Sequence, residues 1–153
     1  MAYTAHRELA RCRWRLVDFD PDSSSETIVT LNPAASEKLL SFAALGGLKS
    51  VVAGLMHSVG TGTISTFRIF VADNAAGTTN ATTVVSHALG SDPNAVGDHV
   101  WLEASAEQLR AASSTAAYWG VKITLATSTD ECVVYAEEHA KVAYESLTAD
   151  YIS

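Results

Sequence analysis

The clearest alternation of hydrophobic and polar positions runs through residues 118–137, YWGVKITLATSTDECVVYAE. Every second residue of its first half is apolar: Trp119, Val121, Ile123 and Leu125. This two-residue period gives a β-strand one apolar face and one mostly polar face. Residues 127–130 have the composition of a hairpin loop, and the apolar residues that follow Glu131 supply a returning strand. The stretch therefore predicts a β-hairpin.

Similar short strands are predicted along the rest of the chain, with turn-forming residues between them. They cover residues 13–20, 26–31, 49–59, 64–72, 82–89 and 99–104. The first has arginines alternating with Trp14 and Leu16, which predicts a position near a sheet edge, where charge discourages unwanted pairing. Many short strands at regular spacing are typical of an all-β fold. We expect a single antiparallel β-sandwich or jelly-roll-like domain over residues 13–153, preceded by an N-terminal arm over residues 1–12.

At most one or two short helices fit the pattern. Asn32-Pro33 resembles a helix start, and apolar residues then recur at helical spacing until Gly46, which predicts a helix over residues 33–45. A competing interpretation makes residues 38–45 a strand that turns at Gly46-Gly47. Residues 105–110 have the composition of one or two helical turns.

The composition is that of a folded globular protein, and its charge excludes one class of function. The chain has 153 residues, 48% hydrophobic, with a formal net charge of −7, whereas a general nucleic-acid binder carries a basic footprint. No apolar run approaches the length of a membrane span, and the first residues lack the apolar core of a secretory signal. The two cysteines, Cys12 and Cys132, are expected to be separate thiols in a protein made in a reducing cytosol.

Residues with catalytic or metal-binding chemistry do not form recognisable motifs. The five histidines never fall at a ligand spacing, and the glycine-rich Gly60-Thr61-Gly62 is not followed by the lysine of a phosphate-binding loop. The adjacent acids Asp130-Glu131 and Glu137-Glu138 are interpreted as solvated surface residues. Cys132 lies inside a predicted strand, where a buried, inert thiol is expected. We therefore expect no enzymatic activity and no cofactor or metal.

One segment suggests partner binding. Four of the ten basic residues lie in the first fifteen positions of an otherwise acidic chain, accompanied by an aromatic residue. These candidate partner-binding residues are Arg7, Arg11, Arg13, Trp14 and Arg15. Arginine and tryptophan contribute strongly to protein contacts, so the segment can anchor the protein on an acidic surface. The alternative is that the arginines pair with Asp18, Asp20 or the acidic C-terminal half of the same molecule.

In residue composition and in the alternation of strands with loops, three stretches of the chain resemble small structural proteins of tailed-bacteriophage virions. They are HSVGTGTISTFRIFVADNAAG, VVSHALGSDPNAVGDHVWLEAS and YWGVKITLATSTDECVVYAE, followed by a tail ending ESLTADYIS. Gly/Thr/Ala-rich strands and long polar loops carry this resemblance, which covers residues 49–153. Its relatives are the minor capsid, decoration or cement proteins encoded near the major capsid protein.

The resemblance implies a protein without a substrate that binds the lattice of the major capsid protein on the capsid exterior and stabilises the shell. It also implies a homo-oligomer, with a trimer favoured, that buries apolar strand surface such as Phe70 or Trp101. A head–tail connector or tail component is a close variant. A second class is a carbohydrate-binding β-sandwich that uses Trp101, Trp119 and Tyr118 as an aromatic platform, although the pattern places Trp119 in the core. Neither nucleic acid nor a membrane is an expected partner.

Overall fold

The computed structural model describes residues 12–19, 25–32, 38–42, 48–88, 95–125 and 129–140. These residues form nine strands and one helix. The strands are β1 (Cys12–Phe19), β2 (Thr27–Ile28), β3 (Leu40–Ser41), β4 (Leu48–Val59), β5 (Ile64–Ala72), β6 (Thr82–Ala88), β7 (His99–Ser105), β8 (Tyr118–Leu125) and β9 (Glu131–Ala140). Helix α1 (Ala106–Ala112) follows β7 directly.

The strands form two antiparallel sheets with jelly-roll connectivity. Sheet A has the order β1-β9-β4-β7, and sheet B has the order β2-β8-β5-β6, with β3 also pairing to β8. The pairs are nested, since β1 pairs with β9, β2 with β8, β4 with β7 and β5 with β6. Such nesting arises when a long antiparallel ribbon winds into two facing sheets. The predicted all-β sandwich is confirmed, and β1 lies at a sheet edge as its arginines indicated.

The core lies between the two sheets and is filled by every second residue of the facing strands. Phe67 and Trp119 are the largest fully buried side chains that sheet B directs into this core, and Leu55 and Val134 contribute from sheet A. Alternation along each strand directs these side chains to one side and their neighbours to the other. The same parity leaves a second, outer face on each sheet.

The predicted hairpin over residues 118–137 is wrong in its pairing. Both strands exist, but β8 belongs to sheet B and β9 to sheet A. Their apolar faces meet across the sandwich, where the Trp119 indole donates a hydrogen bond to Glu138. The chain therefore crosses between sheets after Leu125, because facing sheets bury both apolar faces whereas one hairpin leaves them side by side.

The predicted helix over residues 33–45 is wrong in the part that the structure describes. Residues 38–42 are largely extended, and Leu40-Ser41 pairs with Trp119 and Tyr118 of β8. Leu39 packs with Phe70 and Ala72 on the outer face of sheet B, whereas Leu40 joins the core between the sheets. Only an extended chain sends adjacent leucines to opposite sides. Residues 33–37 and 43–45 lie outside the described residues.

Helix α1 confirms the expected helical turns after residue 105. Ser105 is its N-cap: its side chain accepts a hydrogen bond from the Gln108 N–H, and the Gln108 side chain accepts one from the Ser105 N–H. This reciprocal capping box satisfies amide groups that the first turn leaves free. Leu109 is buried and fastens the short helix to the core.

Candidate functional site

The outer face of sheet A carries the most distinctive surface in the described part of the chain. Residues paired in register across antiparallel strands share a face. One row crosses all four strands in the order Leu16, Tyr135, Gly54 and Trp101. The next row consists of Asp18, Val133, Met56 and His99. We call this surface, spanning β1, β9, β4 and β7, the docking face.

Trp101 lies flat across the centre of the docking face. A Cβ placed on Gly54 would meet three adjacent atoms of the indole six-membered ring at 2.3, 2.5 and 2.7 Å. Such similar distances require the ring to cover Gly54 with its face rather than its edge. The second face of the indole points away from the sheet, and Trp101 is 54% exposed. Gly54 is thus the residue that allows a tryptophan to lie on the sheet surface.

Tyr135 fixes the other side of the indole ring. The two ring centroids are 5.6 Å apart with an interplanar angle of 69°, an edge-to-face contact. The Tyr135 hydroxyl donates a hydrogen bond to Oε2 of Glu137, and Nε2 of His139 lies 3.1 Å from Oε1 of the same carboxylate. These contacts hold the aromatic pair in one orientation, so the face is organised before any partner binds.

Exposed hydrophobic side chains concentrate on the docking face. Among the residues that the structure describes, five large hydrophobic side chains are exposed: Leu16, Met56, Val59, Val96 and Trp101. All except Val96 belong to β1, β4 or β7, and Val96 lies in the loop before β7. Single exposed leucines are ordinary on protein surfaces, whereas a contiguous apolar patch marks an interaction site.

The polar residues of the docking face are acidic. By register, carboxylates surround the apolar centre on three of the four strands: Asp18, Glu103, Glu131 and Glu137. His99 and His139 lie on the same face. The residues paired in register across this face include neither lysine nor arginine, and Lys49 is exposed at the irregularity between Leu48 and Ser50, at one end of β4. The face therefore combines an aromatic centre with a negatively charged rim.

The outer face of sheet B is closed by contrast. Leu39 covers Phe70 and Gly120, and its Cδ2 lies 2.2 Å from the position of a Cβ on Gly120. Beside this cluster, Arg68 and Lys122 lie 2.8 and 3.5 Å from the carboxylate of Glu26. Phe70 is buried here, so its predicted role in exposed apolar surface is wrong, whereas Trp101 is exposed as that prediction requires.

The candidate residues of the basic segment fall only partly within the described structure. Arg7 and Arg11 lie outside it. Arg13 and Trp14 belong to β1, where their backbones pair with Glu138 and Glu137. Arg15 pairs with Ala136, whose side chain is buried in the core, so Arg15 is on the inward side of this edge strand. The proposed role of these residues in partner binding stays a prediction.

The aromatic platform predicted for a sugar-binding module is not assembled as expected. Trp119 is fully buried, as its strand pattern indicated, and Tyr118 belongs to sheet B beside the Leu39 cluster. Trp101 alone of the three is exposed, on the opposite sheet. Tyr135, which sequence reasoning missed, is its aromatic neighbour. The signal was available, because Tyr135 alternates with the buried Val134 and Ala136.

Two of the four acids interpreted as surface residues are buried, which corrects that interpretation. Asp130 is 1% exposed, and its Oδ1 accepts a hydrogen bond from the Gly62 N–H at 3.0 Å. A Cβ on Gly60 or on Gly62 would lie 2.0 Å from an oxygen of this carboxylate, so both glycines are required for the loop to close around it. Glu138 is fully buried and accepts the Trp119 hydrogen bond at 2.7 Å.

A buried polar pair lies at the end of sheet A. His57 and Cys132 are register partners on β4 and β9, both fully buried. Neither ring nitrogen of His57 has a hydrogen-bond partner among the described residues. Burial raises the pKa of Cys132 to about 12, with the charge of Asp18 adding to the effect, so the thiol stays protonated and poorly nucleophilic.

No group of three or more histidine, cysteine, aspartate or glutamate side chains within the described ranges is arranged to hold a metal ion. The helix found in those ranges is too short to cross a lipid bilayer.

Comparisons with known proteins identify similar folds only at low identity. No protein family matches the sequence, and no curated protein is similar to it. The K3 adhesin domain of Lys-gingipain from Porphyromonas gingivalis is 10% identical, covering 83% of this chain and 91% of that one with a TM-score of 0.43. The Triatoma virus empty capsid is 9% identical, with coverages of 88% and 90% and a TM-score of 0.38.

A carbohydrate-binding module from the Cel9A enzyme of Ruminococcus flavefaciens is 10% identical. The match covers 82% of this chain and 97% of that module, with a TM-score of 0.32. At these identities and TM-scores the likenesses carry no information about function, because one sandwich architecture serves many unrelated functions.

Proposed function

We propose that this protein is a non-enzymatic structural component of a tailed-bacteriophage virion, a decoration or cement protein that attaches to the outside of the assembled capsid. The observation that carries the proposal is the docking face, with Trp101 at its centre. The virion assignment itself comes from the resemblance in the sequence. The docking face supplies the surface that such a role needs.

The construction of the face suits protein contact. Tryptophan and tyrosine dominate the energetics of interfaces when they lie at the centre of a patch and are surrounded by residues that exclude water. Trp101 and Tyr135 have this position, and Leu16 and Met56 flank them. Gly54 and Glu137 already fix the orientation of the two rings, so Trp101 and Tyr135 lose little conformational entropy when a partner binds.

Attachment at many sites of one shell gives a higher overall affinity than a single modest contact provides. A capsid presents many equivalent sites, and copies that touch both the lattice and one another bind with an effective concentration that a single contact lacks. A rigid sandwich with one open apolar face suits this arrangement. In this proposal the docking face makes the protein–protein contacts of the decorated shell.

Co-sedimentation with purified phage particles tests the proposed function. We expect the wild-type protein to pellet with particles at a copy number in the hundreds, and Trp101→Ala to pellet at a copy number several-fold lower. Arg110→Ala, on the exposed side of α1, is the matched control and should bind like the wild type. Absence of the wild-type protein from the pellet contradicts the proposal. A copy number near a dozen would instead indicate a connector or tail component.

A carbohydrate-binding module is a second candidate because one face of the Trp101 indole is open to solvent. Sugars stack on such faces, and the nearby Glu103 and His99 supply hydrogen-bonding groups. The edge-on orientation of Tyr135 at 69° weakens this candidate, since it leaves one flat ring where an extended platform needs several. Affinity electrophoresis in polysaccharide gels tests it: retardation that Trp101→Ala abolishes would favour sugar binding over capsid attachment.

A further inference from the structure

The chain contains both a negatively charged docking face and a segment of opposite charge. The face carries four carboxylates, and no lysine or arginine is among the residues paired in register across it. Seven segments lie outside the described ranges: residues 1–11, 20–24, 33–37, 43–47, 89–94, 126–128 and 141–153. Of these, only residues 1–11 have a net positive charge, with Arg7 and Arg11 against Glu8.

We propose that the docking face of one molecule binds residues 1–11 of a second copy of the chain. This deepens the proposed function by naming the partner of the docking face, and rests on it only in treating that face as a protein-contact surface. Arg7 and Arg11 meet the carboxylates of the rim, and Leu9 and Tyr3 supply apolar side chains for the Trp101 centre. An arginine over the open indole face adds a cation–π contact.

The direction of β1 favours a second copy over the same molecule. Moving from Leu16 to Cys12 along β1 leads away from the row that contains Trp101, towards the end of the sandwich. Residues 1–11 continue from that end and contain no glycine, proline, asparagine or aspartate to reverse the chain. Fully extended, eleven residues reach roughly 36 Å. A four-stranded sheet is only about 15 Å wide, so the segment can cross a neighbouring face.

Two docking faces are not expected to bind each other symmetrically, because both are rimmed by carboxylates. A symmetric pairing of this surface would place the carboxylates around one apolar centre against those of the other, with no lysine or arginine among the register-paired residues to compensate them. A contact between a segment of one copy and the face of the next is heterologous, and it closes into a ring when the rotation allows. The expected homo-oligomer then arises from this contact.

Sedimentation of the full-length chain with complementary charge reversals tests the inference without any phage particle. One variant reverses the segment, Arg7→Glu with Arg11→Glu. The other reverses the face, Asp18→Lys with Glu103→Lys, both exposed positions. We expect the wild type to self-associate and each variant alone to lose about tenfold or more in association constant. An equimolar mixture of the two variants should associate again, because the reversed segment of one variant attracts the reversed face of the other, and the unaltered segment and face attract as they do in the wild type.

Controls separate this contact from its alternatives. Arg7→Lys with Arg11→Lys keeps the charge, and Glu107→Lys reverses a charge on α1; both should associate like the wild type, and circular dichroism verifies folding throughout. A monomeric wild type overturns the inference, as does a variant mixture that stays monomeric. If particles bind the wild type while the chain alone stays monomeric, the proposed function stands and only the named partner is wrong.

Discussion

The Trp119 indole N–H donates a hydrogen bond to Oε1 of Glu138 at 2.7 Å, joining sheet B to sheet A across the core. Both side chains are fully buried. A carboxylate without solvent is costly unless it is hydrogen-bonded, so this contact fixes how the two sheets face each other. It also fixes the side of β9 that points outwards, and with it the position of Tyr135 on the docking face.

Replacing Trp119 by Phe should lower the free energy of unfolding by about 2–4 kcal/mol, since it removes a donor to a buried carboxylate and leaves a cavity. Urea denaturation measures the change. Trp101→Phe is the matched control, because the same substitution on the exposed docking face should cost less than about 1 kcal/mol. Equal losses of unfolding free energy at Trp119 and Trp101 would show that the buried hydrogen bond adds nothing to the stability of the fold.

The two outer faces should respond differently to the loss of a leucine. Leu39 closes the outer face of sheet B over Phe70, so Leu39→Ala should destabilise the fold by about 2–4 kcal/mol. Leu16 is 63% exposed on the docking face, and Leu16→Ala should change stability by no more than about 0.5 kcal/mol. Thermal or urea unfolding of the pair checks this. Both proteins are unfolded at a dilution that keeps the chain monomeric, and a large cost at Leu16 would then mean that the chain covers its own docking face.

Sequence periodicity predicted the strands well because alternation is a local property. It also predicted the strand over residues 99–104 and the helical turns that begin at Ser105. Periodicity could not predict which strands pair, because alternation shows which side of a strand is apolar and not which strand lies beside it. The placement of β8 and β9 in different sheets is therefore determined by tertiary packing and not by the local sequence pattern.

The buried acids were missed for a different reason. The two-residue period that places Cys132, Val134 and Ala136 in the core also places Glu138 there, so the pattern contained this signal. Composition suggested a surface position, because charged residues are seldom fully buried without a partner. Its hydrogen-bond donor Trp119 belongs to the other sheet. No local sequence pattern identified Trp119 as a donor to Glu138, and none showed that the Trp101 ring lies over Gly54.

Stability should fall at alkaline pH through Cys132. Its pKa is raised from 9.0 to about 12 in the folded protein by burial, with the charge of Asp18 adding to the effect. Below pH 9 the thiol is protonated in both states and the full stability is present. Between pH 9 and about 12 only the unfolded chain loses the proton, which favours unfolding by up to about 1.4 kcal/mol for each pH unit.

Urea unfolding of the wild type and of Cys132→Ala across this pH range isolates the contribution of the thiol from that of tyrosines and lysines. The variant should be less stable at pH 8 because of the cavity, yet its stability should decline less steeply above pH 9. Parallel declines for the two proteins would show that the buried thiol does not govern alkaline stability.

Hydroxyl-radical footprinting of the protein, free at a dilution that keeps it monomeric and bound to purified phage particles, tests most directly whether the docking face is used. Trp101 and Met56 are reactive, exposed residues at its centre, and His87 on β6 of sheet B is an exposed reference. We predict that oxidation of Trp101 and Met56 falls several-fold on the particle while that of His87 is unchanged. Equal oxidation of Trp101 and Met56 in the free and bound states would contradict the account.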